Sequence, residues 1–350
     1  MKPFFNILII IATFALLLTS SCKKDDNTPS GKYSKGILIS NEGPFTDGSG
    51  TISFYDPAAK TIENNIFANV NSRPLGNIVQ SLEIFNERAY IVVNNAGKVE
   101  VADAASFESI GVIEGLTSPR YFVGINNTKG YVSDWAGHIA ITDLSTLTKT
   151  GTIVTGASPD RMLLHENHLW VINSAGWTSD STVTIIDTQT DTPLQTIVVG
   201  DNPSGIVKDA NGKIWVLCGG ISDWMNPANN TNGSLVRINP DSYAVELSLE
   251  IAGSDFGPRI AINGPGNKIY FSFLGSIYPH EIDAVTINSN PLISKLCYAL
   301  DVDPHSGEIY FCDPLDYAQP GVIYRYDANG ATMLDSLKAG IIPGNFVFQN

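Results

Sequence analysis

The groups in this chain that can move protons, ligate metals or attack carbonyls are few and scattered. Of five histidines, His165, His168 and His305 fall in short turns, while His138 and His280 are far apart. His165 and His168 together can catch an adventitious metal, but two solvent-facing turn residues is the simpler reading. Three carboxylates in irregular stretches, Glu42, Asp134 and Asp313, can line a calcium site. Each also fits as a carboxylate that closes its own loop, which is the preferred reading. There is no GxSxG elbow, no HExxH pair and no phosphate-cradling loop, and no cysteines have CxxC spacing. These residues favour binding over catalysis.

Binding chemistry has better candidates. The irregular stretches hold Asn41, Phe45, Asp134, Trp135, Trp177, Trp224, Tyr278 and Tyr317. Arg120 and Arg161, with Arg73 and Arg259, open apolar runs. Large aromatics with a few polar and guanidinium groups make strong anchors for a ligand. Two plainer readings stand beside this one. Trp135 and Trp177 can fold back over the core, and Arg120 and Arg161 can brace neighbouring elements through carboxylates. Trp170 and Trp215 sit inside strand patterns and are expected in the core.

The elements that must position these residues repeat along the chain. Pro74, Pro119, Pro159, Pro203, Pro258 and Pro343 each open an apolar run, most of them spaced by about 40 to 45 residues. A second run follows in each unit: GILISNEG, RAYIVVNN, KGYVSDWAG, HLWVINSAG, KIWVLCGG, KIYFSFLG and EIYFCDP. A third follows that: GTISFYDP, GKVEVADA, GHIAITDL, STVTIIDT, GSLVRINP, HEIDAVTI and GVIYRYDA. Alternating apolar residues bounded by Gly, Pro, Asn and Asp read as antiparallel strands. Seven units predict an all-β, seven-bladed propeller of four-stranded antiparallel blades. The first unit lacks its opening run, and Ile342 to Phe348 supplies a spare, so the C-terminal strand is expected to join the N-terminal blade. Loops between second and third strands then share one face with the loops that enter each first strand. That face carries the candidate binding residues.

The stretch STVTIIDTQTDTPLQTIVVGDNPSGI, with KIWVL after it, resembles the YVTN-type repeat of YncE-like propellers, over residues 36–348. The beginning of the chain adds to the resemblance. Met1 and Lys2 precede an apolar run from Phe4 to Leu18, shorter than the roughly 20 residues of a comfortable membrane span, as in a secretory signal. Leu18-Thr19-Ser20-Ser21-Cys22 resembles a lipobox, which implies lipidation of Cys22, and Lys23-Lys24-Asp25-Asp26 resembles the surface-export signal of Bacteroidota lipoproteins. Among such lipoproteins the chain resembles the BtuG type. That resemblance implies capture of cobalamin or another corrinoid for a TonB-dependent outer-membrane transporter, with Trp135, Trp177 and Tyr317 against the macrocycle.

Residues 1–21 are thus expected to be a signal peptide, 22–34 a lipidated tether and 35–350 one propeller domain. The formal charge of −14 lacks the basic footprint of a nucleic-acid binder. The expected protein is a non-catalytic, monomeric binder without a resident cofactor, lipid-anchored at the outer-membrane surface. The alternatives are a calcium-dependent, lactonase-like hydrolase and a protein- or glycan-binding adhesin. Cys297 and Cys312 lie on neighbouring expected strands. A disulfide is one option for them, and two small buried hydrophobes is the favoured one.

Overall fold

The repeated phrase that ends in aspartate has a local cause. Asp103, Asp143 and Asp187 each terminate a third strand and accept hydrogen bonds from the backbone N–H groups two and three residues on. Such Asx-turns reverse the chain at low cost and send it into a fourth strand. In the computed structural model, which describes residues 31–46, 48–174, 176 and 179–349, this device recurs around a ring of seven sheets. Cys22 and the expected signal segment lie outside the described residues.

The inner strands are Pro343–Gln349, Val79–Phe85, Pro119–Asn126, Pro159–His165, Pro203–Lys208, Ile260–Ile262 and Ala299–Val302, for blades one to seven. Each lies beside the next, and the last returns to the first. Second strands are buried almost end to end, as in Ile214–Cys218 of blade five, because each sheet is packed on both faces by its neighbours. Trp170 and Trp215 are fully buried, as expected. Between blades two and three, Tyr90 stacks on Phe122 with ring centroids 3.9 Å apart.

The ring closes through its terminus. Strand Pro343–Gln349 pairs antiparallel with Gly36–Asn41, from Gly36 opposite Gln349 to Asn41 opposite Pro343. Phe346 and Phe348 pack on Tyr310 of blade seven. A polar clasp reinforces this seam. Arg325 of blade seven donates to both oxygens of Glu308 (2.8 and 2.9 Å), to Asp335 (2.9 Å) and to the Pro57 carbonyl of blade one (3.1 Å). Tyr55 of blade one donates to Asp335 at 2.7 Å.

Blade six departs from expectation. It has three strands, with Lys268–Phe273 followed at once by Ser276–Glu281. The third run was expected at His280 to Ile287. Leu274 and Gly275 instead take φ of 46° and 76°, and two consecutive positive φ values make the tight hairpin turn that matches strand twist. In place of a fourth strand, only Ile293 bridges back to Ile277. Tyr278 is therefore not a loop residue: it lies in the third strand, stacked on Phe271 at 5.4 Å. One smaller correction concerns Pro74, while the cysteines follow the favoured expectation. Pro74 does not open a strand, because helix Ile66–Asn71 is inserted before it and the inner strand starts at Val79. Cys297 and Cys312 are free thiols; burial pushes Cys297 up to about 12, and Cys312 donates to the Pro343 carbonyl at 2.7 Å.

The earlier start of this strand puts His280 near its end rather than at its beginning, and buries it. It is 2% exposed, it lies edge-on to Trp215, and neither ring nitrogen has a partner among the described residues. Burial lowers its pKa below 6.5, against Glu281, which raises it, and with Arg237, which lowers it further. A base lowered on folding binds fewer protons in the folded state. Stability is therefore expected to fall as pH drops below the unfolded value and to level off below the folded one. His280→Phe should reduce this acid sensitivity in melting curves recorded between pH 5 and 8, and an unchanged pH profile would refute it.

Candidate functional site

Pairing with the second strands sets the inner strands in register and sorts their first residues into layers down the axis. The layer nearest the loop face comprises Gly344, Gln80, Arg120, Asp160, Ser204, Pro258 and Tyr298. The next comprises Asn345, Ser81, Tyr121, Arg161, Gly205, Arg259 and Ala299. Pro258 stands one position deeper than the prolines of the other blades, and this puts Arg259 level with Tyr121 and Arg161.

Polar contacts cross from blade to blade in the outer layer. Arg120 donates through Nε to Asp160 Oδ2 (3.1 Å) and through Nη1 to Gln80 Oε1, and so links blades two, three and four. Its guanidinium lies 3.9 Å from the Trp135 ring centroid. The indole N–H of Trp135 shares Asp160, at 3.0 Å. Charge, stacking and hydrogen bonds fix these three side chains as one wall of the mouth. On the far side, Tyr298 donates to Glu42 Oε1 at 2.8 Å. Burial raises the Glu42 pKa, and Tyr298, Arg120 and Arg259 partly offset it. Position 344 has no side chain, and Glu42 leans over it.

Arg161 and Arg259 differ from Arg120. Arg161 lies 4.7 Å over the Tyr121 ring and forms no hydrogen bond or ion pair among the described residues. Arg259 donates to the carbonyls of Tyr298 (2.9 Å) and Gly257 (2.8 Å) and has no carboxylate partner there. Burial opposes its charge, but Tyr121, Tyr298, Asp160 and Glu42 hold it above its ordinary value. Those four belong to blades three, seven, four and one, so Arg259 of blade six reaches the axis.

Below the arginines lies an apolar layer, and one position deeper stand two acids, Glu83 and Asp301. Enclosure within the ring, then the charge of Asp301, pushes Glu83 up to about 7, although its side chain stays exposed to solvent there. Burial pushes Asp301 up to about 6, while the Val302 N–H and Arg161 pull it back. An acid whose pKa is raised on folding binds more protons in the folded state, so stability falls as pH rises from near 4.5 through 7. Glu83→Gln is expected to flatten that loss in denaturation curves taken at pH 5 and 8. A loss as steep as in the parent chain would contradict this.

The sequence candidates separate into three groups. Arg120, Trp135 and Arg161 meet at the axis. Asn41 and Asp134 end second strands and are fully buried, and their polar atoms are used locally. The Asn41 amide donates to Thr51 and Ser53 and its carbonyl accepts from Gly340 N–H; Asp134 accepts from the backbones of Thr117, Ser118 and Ala136. They hold loops in place and offer a ligand nothing. Asp313 likewise accepts from Leu315 N–H. Arg73 is bound to Glu100 and lies off the axis. Phe45, Trp224 and Tyr317 form an exposed rim. Trp224 is 86% exposed on a turn held by Asp223, and Tyr317 stands edge-on to Tyr298 at 5.9 Å. Trp177 lies outside the described residues. Sequence reasoning missed Tyr121, Asp160, Gln80 and Tyr298 on the axis and Phe256, 89% exposed, on the rim. Position just after the blade-opening residue was the available signal.

Among the described residues, no group of three or more His, Cys, Asp and Glu could hold a metal ion. The hydroxyls of Ser81 and Ser204 donate to backbone carbonyls, of Arg120 and Leu217. The arrangement suits recognition of a polar small molecule by guanidinium and aromatic groups at the loop-face end of the axis.

Comparison with known proteins extends the fold and leaves the ligand open. No curated protein matches the sequence. The structure is similar to a quinonprotein alcohol dehydrogenase-like protein from Bacteroides thetaiotaomicron, with 17% identity and a TM-score of 0.69 over 91% of this chain and 79% of that one. It is also similar to hydrazine synthase from Kuenenia stuttgartiensis, with 14% identity and a TM-score of 0.55 over 69% of this chain and 74% of that one. At such identities the likeness concerns the propeller alone. A family model described as a domain of unknown function, DUF5074, matches residues 35–334, and the chain belongs to that family.

Proposed function

We propose that this protein is a non-catalytic propeller that captures a small molecule at the axial mouth of its loop face. Anchored at the outer-membrane surface through a lipidated Cys22, it passes the ligand to a TonB-dependent transporter. One observation carries the reading: guanidinium donors without acceptors among the described residues stand on the axis inside a rim of exposed aromatic side chains. Exposed aromatics and unmatched donors together favour a ligand with flat apolar faces and polar substituents. A corrinoid has both. Its macrocycle would lie against Tyr317 and Trp224, and its amide and phosphate groups would reach toward Arg120, Arg161 and Arg259.

Gel filtration of the protein with cobalamin tests this. A red complex co-eluting with protein is expected, and replacing both Trp224 and Tyr317 by alanine should weaken binding by about tenfold or more. No binding at micromolar cobalamin would remove corrinoids as the ligand. Loss of surface labelling in a Cys22→Ala variant would support the anchor, and unchanged membrane association would refute it.

A further inference from the structure

Arginine presents five N–H donors in a planar fork that matches carboxylate and phosphate oxygens. Two of those on Arg259 are held by the Tyr298 and Gly257 carbonyls, which fix the guanidinium; the others have no acceptor among the described residues. None of those on Arg161 has one, and its plane is set by the Tyr121 ring. The Tyr121 hydroxyl has no hydrogen-bond partner there either. These groups share one layer, and between the two arginines stands Gly205, against which Ile260 packs where a side chain would otherwise be. The neighbouring acids are otherwise engaged or set apart. Asp160 is tied to Arg120 and Trp135, and Glu42 to Tyr298; Asp301 and Glu83 lie two positions deeper along their strands, without an ion pair to either arginine.

We propose that Arg161, Arg259 and the Tyr121 hydroxyl form an oxyanion-binding site on the propeller axis, which takes a carboxylate or phosphate group of a ligand arriving from the loop face. This rests on the reading of that face as the ligand mouth, and it names the chemical class the mouth selects. Seven arginines occur in an acidic chain with formal charge −14. Two stand here with most of their donors unmatched among the described residues.

Calorimetric titration with inorganic phosphate and with acetate, each at constant ionic strength against chloride, tests the site and separates the two oxyanion sources. Saturable binding of at least one oxyanion is expected. Arg161→Gln and Arg259→Gln should each weaken it about tenfold or more, the loss for a hydrogen bond to a charged group. Lys149→Gln, on the outer surface, should leave it unchanged. Arg259 also fixes two loop carbonyls, so if its variant fails to fold, Arg161→Gln decides alone. A response to both oxyanions no larger than that to chloride would overturn the proposal, as would binding unchanged by Arg161→Gln. Oxyanion binding without cobalamin binding would keep this site and discard the corrinoid; the reverse would discard the site alone.

Discussion

Deleting residues 343–350 is expected to abolish cooperative folding of the whole ring. The deletion removes the innermost strand of blade one and its pairing with Gly36–Asn41, and it uncovers Ile37, Ile39 and Tyr310, which now pack with Phe346. A propeller differs from a linear repeat array here. In an array the end unit frays alone, while in a ring every blade depends on two neighbours. The lost core contact of Phe346 alone is worth about 3 kcal/mol, a large part of a typical domain's stability. Thermal melting followed by circular dichroism should show no sharp transition for the shortened chain. A synthetic peptide of residues 342–350 added in trans should restore one. If the shortened chain melts within ~4 °C of the full-length chain, closure by the terminus is not what stabilises the fold.

Replacing Arg325 with methionine has the second largest expected effect. The substitution keeps much of the apolar stem and removes the guanidinium that neutralises Glu308 and Asp335. Asp335 is held below the ordinary carboxylate range. Burial works the other way, and hydrogen bonds from Tyr55, Lys60 and Arg325 prevail. The Arg325 side chain is 16% exposed, so the carboxylates left behind would be only partly hydrated. Breaking one side of such a pair costs about 3 kcal/mol, near the lower limit for fully buried pairs. Urea denaturation of Arg325→Met measures it directly. Adding Glu308→Gln should recover part of the loss, since a neutral amide tolerates the vacated site. If the two changes simply add, the pair is not coupled and the clasp argument fails.

Most of the fold was legible because its signals are local. Strand alternation, the Asp that ends each third strand and the spare run after Ile342 can all be read within short windows. Blade six was misread where the turn chemistry was unusual. Leu274-Gly275 is not one of the Asn-Gly or Asp-Gly pairs that announce a two-residue hairpin, so the third strand was placed too late, and Tyr278 was carried into the loop before it. The site was only partly legible. Arg120, Trp135 and Arg161 were marked by type. Asn41 and Asp134 looked like loop residues because they sit where strands end, and only packing shows that their polar atoms face inward. Tyr121, Asp160 and Tyr298 were missed because no repeated pattern marks them: the blades have different residues at the same axial position.

That variety has a consequence for how such a mouth changes. Each blade contributes one residue to a given layer of the axis, and in the outer layer all seven differ: Gly344, Gln80, Arg120, Asp160, Ser204, Pro258 and Tyr298. Six of the seven sheets behind them have the same four-stranded order, and their second strands are buried alike whichever side chain faces the centre. The ring behaves as a seven-letter word written one letter per blade. A new ligand can be accommodated by rewriting letters while the grammar of the scaffold stays fixed.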